Sequence, residues 1–345
     1  MSDVVAPVAS LFRLSDEVRD ALARGRPVVA LESNVVAHGF RRPDNVAVAG
    51  EVERAVRAGG AVPATIALVD GRIVVGTDDR DIERLGTATD VAKVTTRDIA
   101  VALARGGLGA TSIAATMAIA DRVGIATVAS AGLGGVHRGA ETTMDISADL
   151  TELARTRLIV VCAGVKKILD AGLTLEFLET QGTPVIGYKH REFPAFYCRD
   201  SGFSTQTRID DPREIAEIAR LHRQLPGAGS LLITHPIPAA DALDGEAIEA
   251  AIQQALARAD TEHITGPAVT TFVLRAVDAA TGGAAAAANR AVLISTAEAA
   301  AEIETARAAL EQGARSGDRA VPSSDTARRD PIRTAPQGGL THVER

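Results

Sequence analysis

The densest concentration of chemically useful side chains lies between Ser130 and Asp149, in the run SAGLGGVHRGAETTMDISAD. It begins where the apolar stretch 125–129 ends, and open α/β sheets bind ligands outside the carboxyl ends of their strands. Gly132, Gly134, Gly135 and Gly139 would let the backbone approach a ligand closely. His137 and Arg138 add donors suited to an anion. Asp145 and Asp149 follow, with Ser147 placed to cap a helix running through Leu153. The plain alternative is a glycine-rich turn followed by a capped helix. A dinucleotide fingerprint fails, because His137 stands where the third glycine after Gly132 and Gly134 belongs.

Three further segments place reactive groups at strand ends. Glu32 follows the apolar run Pro27-Val28-Val29-Ala30-Leu31 and is either a carboxylate at the sheet edge or a capping acid. Lys93 lies inside VAKVT, as an edge-strand gatekeeper or a ligand anchor. Lys166 and Lys167 follow LIVVCAG. One of the two is expected to point into the crevice, where desolvation favours an uncharged, nucleophilic amine. Cys162 reads as a small buried hydrophobe. Together these residues describe a sheet-edge pocket with two carboxylate regions, a reactive lysine and anion donors. The chemistry suggested is Schiff-base or acid–base work on a phosphorylated small molecule.

The elements that must position them form repeated strand–helix units. Apolar runs at 91–95, 125–129, 158–162, 184–187 and 231–234 alternate with helical stretches. The order predicts a single α/β layered domain over 15–312 with a mostly parallel mixed sheet and a helical C-terminal third. Asp70-Gly71 between two apolar runs predicts a hairpin. Ser15 and Asp211, the latter before Pro212, are expected helix starts. Residues 1–14 read as an N-terminal extension. From Gly313 to residue 345 the chain turns to Arg, Ser, Pro and Gly, a composition expected to be disordered.

Composition narrows the function classes. The 345 residues carry a net charge of −7, with 3% aromatic residues and no Trp. No basic field draws a polyanion and few rings are available for base stacking, so nucleic acid and anionic membrane are poor partners. Two cysteines cannot build a disulfide framework or a cysteine zinc site. With no basic leader and no long apolar run, the chain is expected to be a cytoplasmic enzyme.

The strings VVALESNVVAHG, GAVPATIALVDGRIVVG, KVTTRDIA, GATSIAATM, GLGGVHRGAETTMDISADL and VVCAGVKKILD…GLTLEFLET strongly resemble the pseudouridine-5'-phosphate glycosidase family, also called the indigoidine-synthase-A-like family. The likeness is near-continuous from about Ser15 to about Ile209 and thinner to about Ala308. It implies a single α/β/α layered domain and a homotrimer with one divalent metal per subunit, Mn2+ or else Mg2+. The implied reaction is reversible cleavage of the C–C glycosidic bond of pseudouridine 5'-phosphate to uracil and ribose 5-phosphate. By that resemblance the nucleophilic lysine falls on Lys166, the proton donor on Glu32 and the metal aspartate on Asp145. Lys93, Ile113, His137, Ser147, Ala148, Asp149 and Asn289 match substrate contacts, with Lys93 and His137 on the phosphate side.

The departures from the family pattern are specific. Asn34 stands where a Thr is usual, His190 replaces another Thr, and NPIP becomes His235-Pro236-Ile237-Pro238. The usual GKxxTPFLL is rebuilt over 266–274, and Ser295-Thr296-Ala297 replaces a paired-Asn string. Most of these changes fall in the C-terminal half, which is expected to carry much of the base side. An alternative that follows is a C-ribosylating synthase that joins ribose 5-phosphate to another aglycone. A non-catalytic sugar-phosphate-binding protein is the third reading, which the retained Glu32, Asp145 and Lys166 disfavour.

Overall fold

The structure is a computed structural model in which residues 11–264 and 267–318 are described. Expectations for residues 1–10, for Gly266 and for 319–345 lie outside the described residues. The strands are β1 (Phe12–Leu14), β2 (Val28–Glu32), β3 (Val62–Val69), β4 (Arg72–Val75), β5 (Ala92–Val94), β6 (Leu108–Thr111), β7 (Thr127–Ala129), β8 (Val136–His137), β9 (Ile159–Cys162), β10 (Leu169–Asp170), β11 (Val185–Tyr188), β12 (Thr207–Ile209) and β13 (Leu231–Thr234). The main sheet runs β1-β4-β3-β2-β7-β9-β13-β11-β12, with β6 beside β3 and β5 beside β6. The run from β3 through β2, β7, β9, β13 and β11 to β12 is parallel throughout. Among these strands, the antiparallel pairs are β3 with β4 and with β6, and a separate ribbon of β8 with β10.

The continuous apolar runs are explained by burial on both faces. Val28 and Ala30 pack into one core, whereas Val29 and Leu31, pointing the other way, pack into a second. Helices Asp16–Ala23, Ile113–Val123, Ala148–Arg155 and Gly245–Thr261 cover the first face. Asp44–Ala58, Pro212–His222 and Ala284–Asp318 cover the second. This is the α/β/α layering that the family resemblance implies. The hairpin forms at Asp70-Gly71, both with positive φ (51° and 76°), as a two-residue turn between paired strands requires. Ser15 and Asp211 cap their helices through Val18 N and Arg213 N.

Two features differ from the sequence reading. Phe12–Leu14, expected to lie in an extension, adds a parallel strand to β4. The C-terminal helix continues to Asp318, past the change of composition at Gly313.

Two details place the site. Along one edge of β3, β2 pairs with residues 62–66, and β6 takes over at Ala67–Val69 from the opposite direction. The two strands meet end to end, where Thr111 N–H donates to Ser33 Oγ at 2.9 Å. The crevice opens at this junction. The long helix Ala284–Asp318 then sets the roof. Its buried Glu304 accepts from Thr127 Oγ1 at 2.6 Å and from Val28 N–H at 3.4 Å, both at the entry ends of their strands. Eight residues earlier, Thr296 lines the pocket at Glu32, at the exit end of β2. A rise of 1.5 Å per residue makes that span about 12 Å, close to the length of β2, so the helix runs antiparallel to the strands.

Candidate active site

Glu32, the last residue of β2, carries its carboxyl into a narrow pocket walled by Val35, Ser130, Leu293 and Thr296. Burial pushes its pKa up from the ordinary carboxylate value. Three neighbours act in the opposite direction: a hydrogen bond donated by Ser130, then the charges of Lys166 and Lys93; Asp149 adds to the upward push. Lys93, Asp149 and Lys166 are thus within electrostatic reach of the Glu32 carboxyl. Ser130, the first residue after β7, was not singled out in the sequence. Its position at a strand exit, level with Glu32, was the available signal.

Lys166 is fixed through its backbone. Beyond β7 and β9 the chains continue to pair: Ala163 N–H donates to Ala131 O (2.9 Å), Leu133 N–H to Gly164 O (2.8 Å) and Lys166 N–H to Leu133 O (3.2 Å). Gly164, with φ of 70°, allows this course, since a Cβ there would meet Pro194 O at 1.9 Å. Consecutive lysines then diverge. Lys166 interacts with Glu32, while the Lys167 ammonium lies 3.9 Å from Glu249 in an ion pair.

A second cluster forms at two helix starts. Asp149 is buried, and its carboxylate accepts from Ala114 N–H (3.0 Å) and Gly134 N–H (2.9 Å). It therefore ties the first turn of Ile113–Val123 to the glycine loop and to its own helix, which Ser147 caps. Ser147 N–H donates to Gly135 O at 3.0 Å. Ile113 and Ala148 thus begin neighbouring helices, whose N-termini favour an anion. Lys93 sits opposite Ala110 on the exposed edge strand β5, close to the first of these starts. Burial and the Lys93 charge together hold His38 below the usual imidazole range.

Two of the loop glycines, Gly134 and Gly135, do something other than expected. A Cβ at Gly134 would meet Ser147 Oγ at 2.3 Å, and one at Gly135 would meet Thr174 Oγ1 at 2.4 Å. Their small size serves loop-to-helix packing, not ligand approach. Arg138 is likewise no free anion donor, because its guanidinium is engaged by Glu249 and by Lys167 O.

His137 and Asp145 face each other across a turn. Met144 adopts a left-handed conformation, φ 55°, and the chain returns so that His137 N–H donates to Asp145 O at 3.0 Å. His137 Nδ1 lies 3.7 Å from Asp145 Oδ2, and the carboxylate is half exposed. Among the described residues no group of three or more His, Cys, Asp or Glu side chains converges as a metal cage. One carboxylate open to water, with an imidazole beside it, fits a hard, largely hydrated ion such as Mn2+ or Mg2+ and does not fit structural Zn2+.

Asn289 lies four and seven residues before Leu293 and Thr296, on the same helical stripe, which carries it past the strand ends and over the crevice. Its Oδ1 is buried without a hydrogen-bond partner, as is Asn34 Oδ1 two residues after Glu32. Buried acceptors of this kind call for a donor. Two other departures from the family strings meet each other: His235 Nε2 and Ser295 Oγ are 3.0 Å apart. Burial lowers the His235 pKa. Of the rebuilt stretch 266–274, the residues from Pro267 onward are helical.

Comparison with known proteins is consistent over nearly the whole fold. A family model described as indigoidine synthase A like protein matches residues 17–306. The chain is 53% identical to the pseudouridine-5'-phosphate glycosidase of Dickeya dadantii, over 83% of this chain and 91% of that one. It is 52% identical to pseudouridine-5'-phosphate glycosidase 1 of Photorhabdus laumondii, over 86% and 93%. Among solved structures, the prealnumycin C-glycosynthase AlnA in complex with ribulose 5-phosphate superposes with a TM-score of 0.83 at 44% identity, covering 88% of this chain and 99% of that one. An indigoidine synthase A-like protein of Thermotoga maritima gives 0.77 at 30% identity, covering 86% and 96%. The chain belongs to the indigoidine synthase A-like family.

Proposed function

We propose that this enzyme cleaves the C–C glycosidic bond of pseudouridine 5'-phosphate, reversibly, giving uracil and ribose 5-phosphate. The observation that carries the reading is the buried Glu32 carboxyl, its pKa raised by desolvation, within electrostatic reach of Lys166 and of the helix start that Asp149 braces. The names of the close relatives support the substrate.

The C1′–C5 bond has no heteroatom leaving group, so cleavage requires an electron sink at C1′. Glu32, whose pKa burial raises, donates a proton to the ring oxygen as the C1′–O4′ bond breaks and the ribose opens. The Lys166 amine adds to C1′. Its nitrogen lone pair then forms C=N⁺ as the C1′–C5 bond breaks, and the bonding pair leaves with uracil C5, which takes up a proton. Water hydrolyses the iminium, restoring the amine and releasing ribose 5-phosphate. The net reaction consumes one water.

Lys93, His137, the Ser147 hydroxyl and the amides of Ile113 and Ala148 hold the phosphate and sugar oxygens, with Asp149 bracing the two helix starts. Asn289 and Asn34 offer their unpaired acceptors from the roof and floor. Asp145, beside His137, would hold Mn2+, which when bound supplies positive charge to sugar or phosphate oxygens. The same reading makes the enzyme a cytoplasmic homotrimer. No helix among the described residues is long and apolar enough to cross a membrane.

The test is covalent trapping. Ribose 5-phosphate with borohydride should add one sugar to the protein, mapped by mass spectrometry to Lys166. An adduct on Lys167 or Lys93 overturns the assignment.

A further inference from the structure

The proposed mechanism leaves one well-built cluster unused, on the side of the Lys166 turn away from Glu32. Arg138 donates both arms of its guanidinium to Glu249, at 2.6 and 2.9 Å, and a further bond to Lys167 O at 3.0 Å. Glu249 also accepts from Gln253 Nε2 at 2.8 Å and lies 3.9 Å from the Lys167 ammonium. Arg138 holds the Glu249 carboxyl far below the usual range, at about 2. The pair is thus fully charged at any working pH. Both side chains are only partly exposed, 25% for Arg138 and 34% for Glu249.

The connections matter more than the ion pair itself. Arg138 follows His137 at the end of β8, and β8 pairs with β10 so that His137 stands opposite Leu169. The intervening turn closes through Leu169 N–H to Lys166 O at 2.9 Å. Glu249 belongs to the helix Gly245–Thr261, anchored next door by Ile248 and Ile252 in the same core as Val165 and Ile168. One guanidinium therefore spans three segments: the strand bearing His137, the turn bearing Lys166, and a helix anchored in the same core.

We propose that Arg138 and Glu249 are a positioning pair for Lys166. The Arg138 bond to Lys167 O fixes the peptide one residue beyond the nucleophile. The Glu249 carboxylate draws the Lys167 ammonium outward, so that Lys166 alone faces Glu32. A planar, bidentate fork suits this role where a lysine would not, since it satisfies a carboxylate and a carbonyl in one geometry. Removing the pair frees the turn to shift and lets Lys167 compete for the crevice. Displacements of about 1 Å at a reacting group cost on the order of a hundredfold in rate.

This inference rests on Lys166 being the nucleophile, and its test reads the two ideas separately. Wild type, Glu249→Ala, Glu249→Gln and Arg138→Ala are assayed for uracil release from pseudouridine 5'-phosphate, and for borohydride-trapped ribose 5-phosphate with the modified lysine mapped. The expected result is a kcat for Glu249→Ala lower by roughly 10- to 100-fold, with KM changed less than about threefold. A measurable share of the adduct should move to Lys167. Glu249→Gln, which still accepts from Arg138, should recover part of the rate. Should Glu249→Ala not fold, Arg138→Ala carries the same expectation. Wild-type kcat in the folded variants, or a loss with all adduct still on Lys166 at the wild-type trapping rate, overturns the positioning role while the proposed function stands. No adduct on Lys166 in the wild type overturns both.

Discussion

The two ends of the crevice are built in opposite ways. At the Glu32 end, the functional groups stand at the exit ends of parallel strands: Glu32 is the last residue of β2, Ser130 the first after β7 and Lys166 the fourth after β9. They are held by ladders that simply continue past the sheet edge. At the Asp145 end, the groups sit on a glycine loop, a left-handed turn at Met144 and two helix N-termini, and the metal-ligand candidate is half exposed. The difference follows from the chemistry assigned to each. A carboxyl that must keep its proton needs to be dry and rigid. A phosphate and a hydrated cation need several donors and room for water.

The sharpest way to break this comparison is Glu32→Gln, which keeps the shape and removes the transferable proton. Loss of a positioned general acid costs about 10²- to 10⁴-fold, so kcat should fall by that amount while Mn2+ binding at the other end is unchanged. A variant within about threefold of wild type would remove Glu32 from the mechanism.

Asp149 joins the two ends, and its effect should be on stability. Asp149→Ala leaves Ala114 N–H and Gly134 N–H without their acceptor. At about 1.5–3 kcal/mol for each bond to a charged group, a loss of about 3–6 kcal/mol is expected, lowering Tm by roughly 4–8 °C. An unchanged Tm would show that water replaces the carboxylate.

At the wet end, Asp145→Ala should lower Mn2+ affinity more than about tenfold, because even outer partners of a metal ligand cost 10- to 100-fold. Titration followed by the Mn2+ electron paramagnetic resonance signal reads this without any turnover. Equal affinity would locate the ion elsewhere. Tm should hardly move, since Asp145 is half exposed.

The smallest effect concerns Ser130. Its hydroxyl donates to Glu32 and favours the carboxylate, against the upward push of burial. Ser130→Ala should therefore raise the Glu32 pKa further. The alkaline limb of the kcat profile, where the acid loses its proton, should move to higher pH. A shift to lower pH would contradict the charge balance described.

The two ends also differ in how well the sequence reveals them. Glu32 and Lys166 are legible because a run buried on both faces announces itself as continuous apolar residues, and the first polar residue after it stands at the sheet edge. Strand β6 is hidden in Leu108-Gly109-Ala110-Thr111, whose small residues fit beneath Leu68 and Val94 and carry no β-branched signature until Thr111. Strand β1 is too short for any period to show. The role of Asp149 as a brace, and of Gly134 and Gly135 as close-packing positions, depends on contacts 13 to 39 residues away that no local pattern encodes. Arg138 reads as an anion donor by type, yet its partner Glu249 lies 111 residues on.

The central claim is that this crevice breaks a carbon–carbon glycosidic bond. The direct measurement is incubation of the purified protein with pseudouridine 5'-phosphate and Mn2+, following uracil and ribose 5-phosphate by chromatography. Equimolar release of both by the wild type, and none by Lys166→Ala of unchanged Tm, is the result predicted. Undiminished uracil release by Lys166→Ala, or none by a folded, Mn2+-loaded wild type, would contradict it.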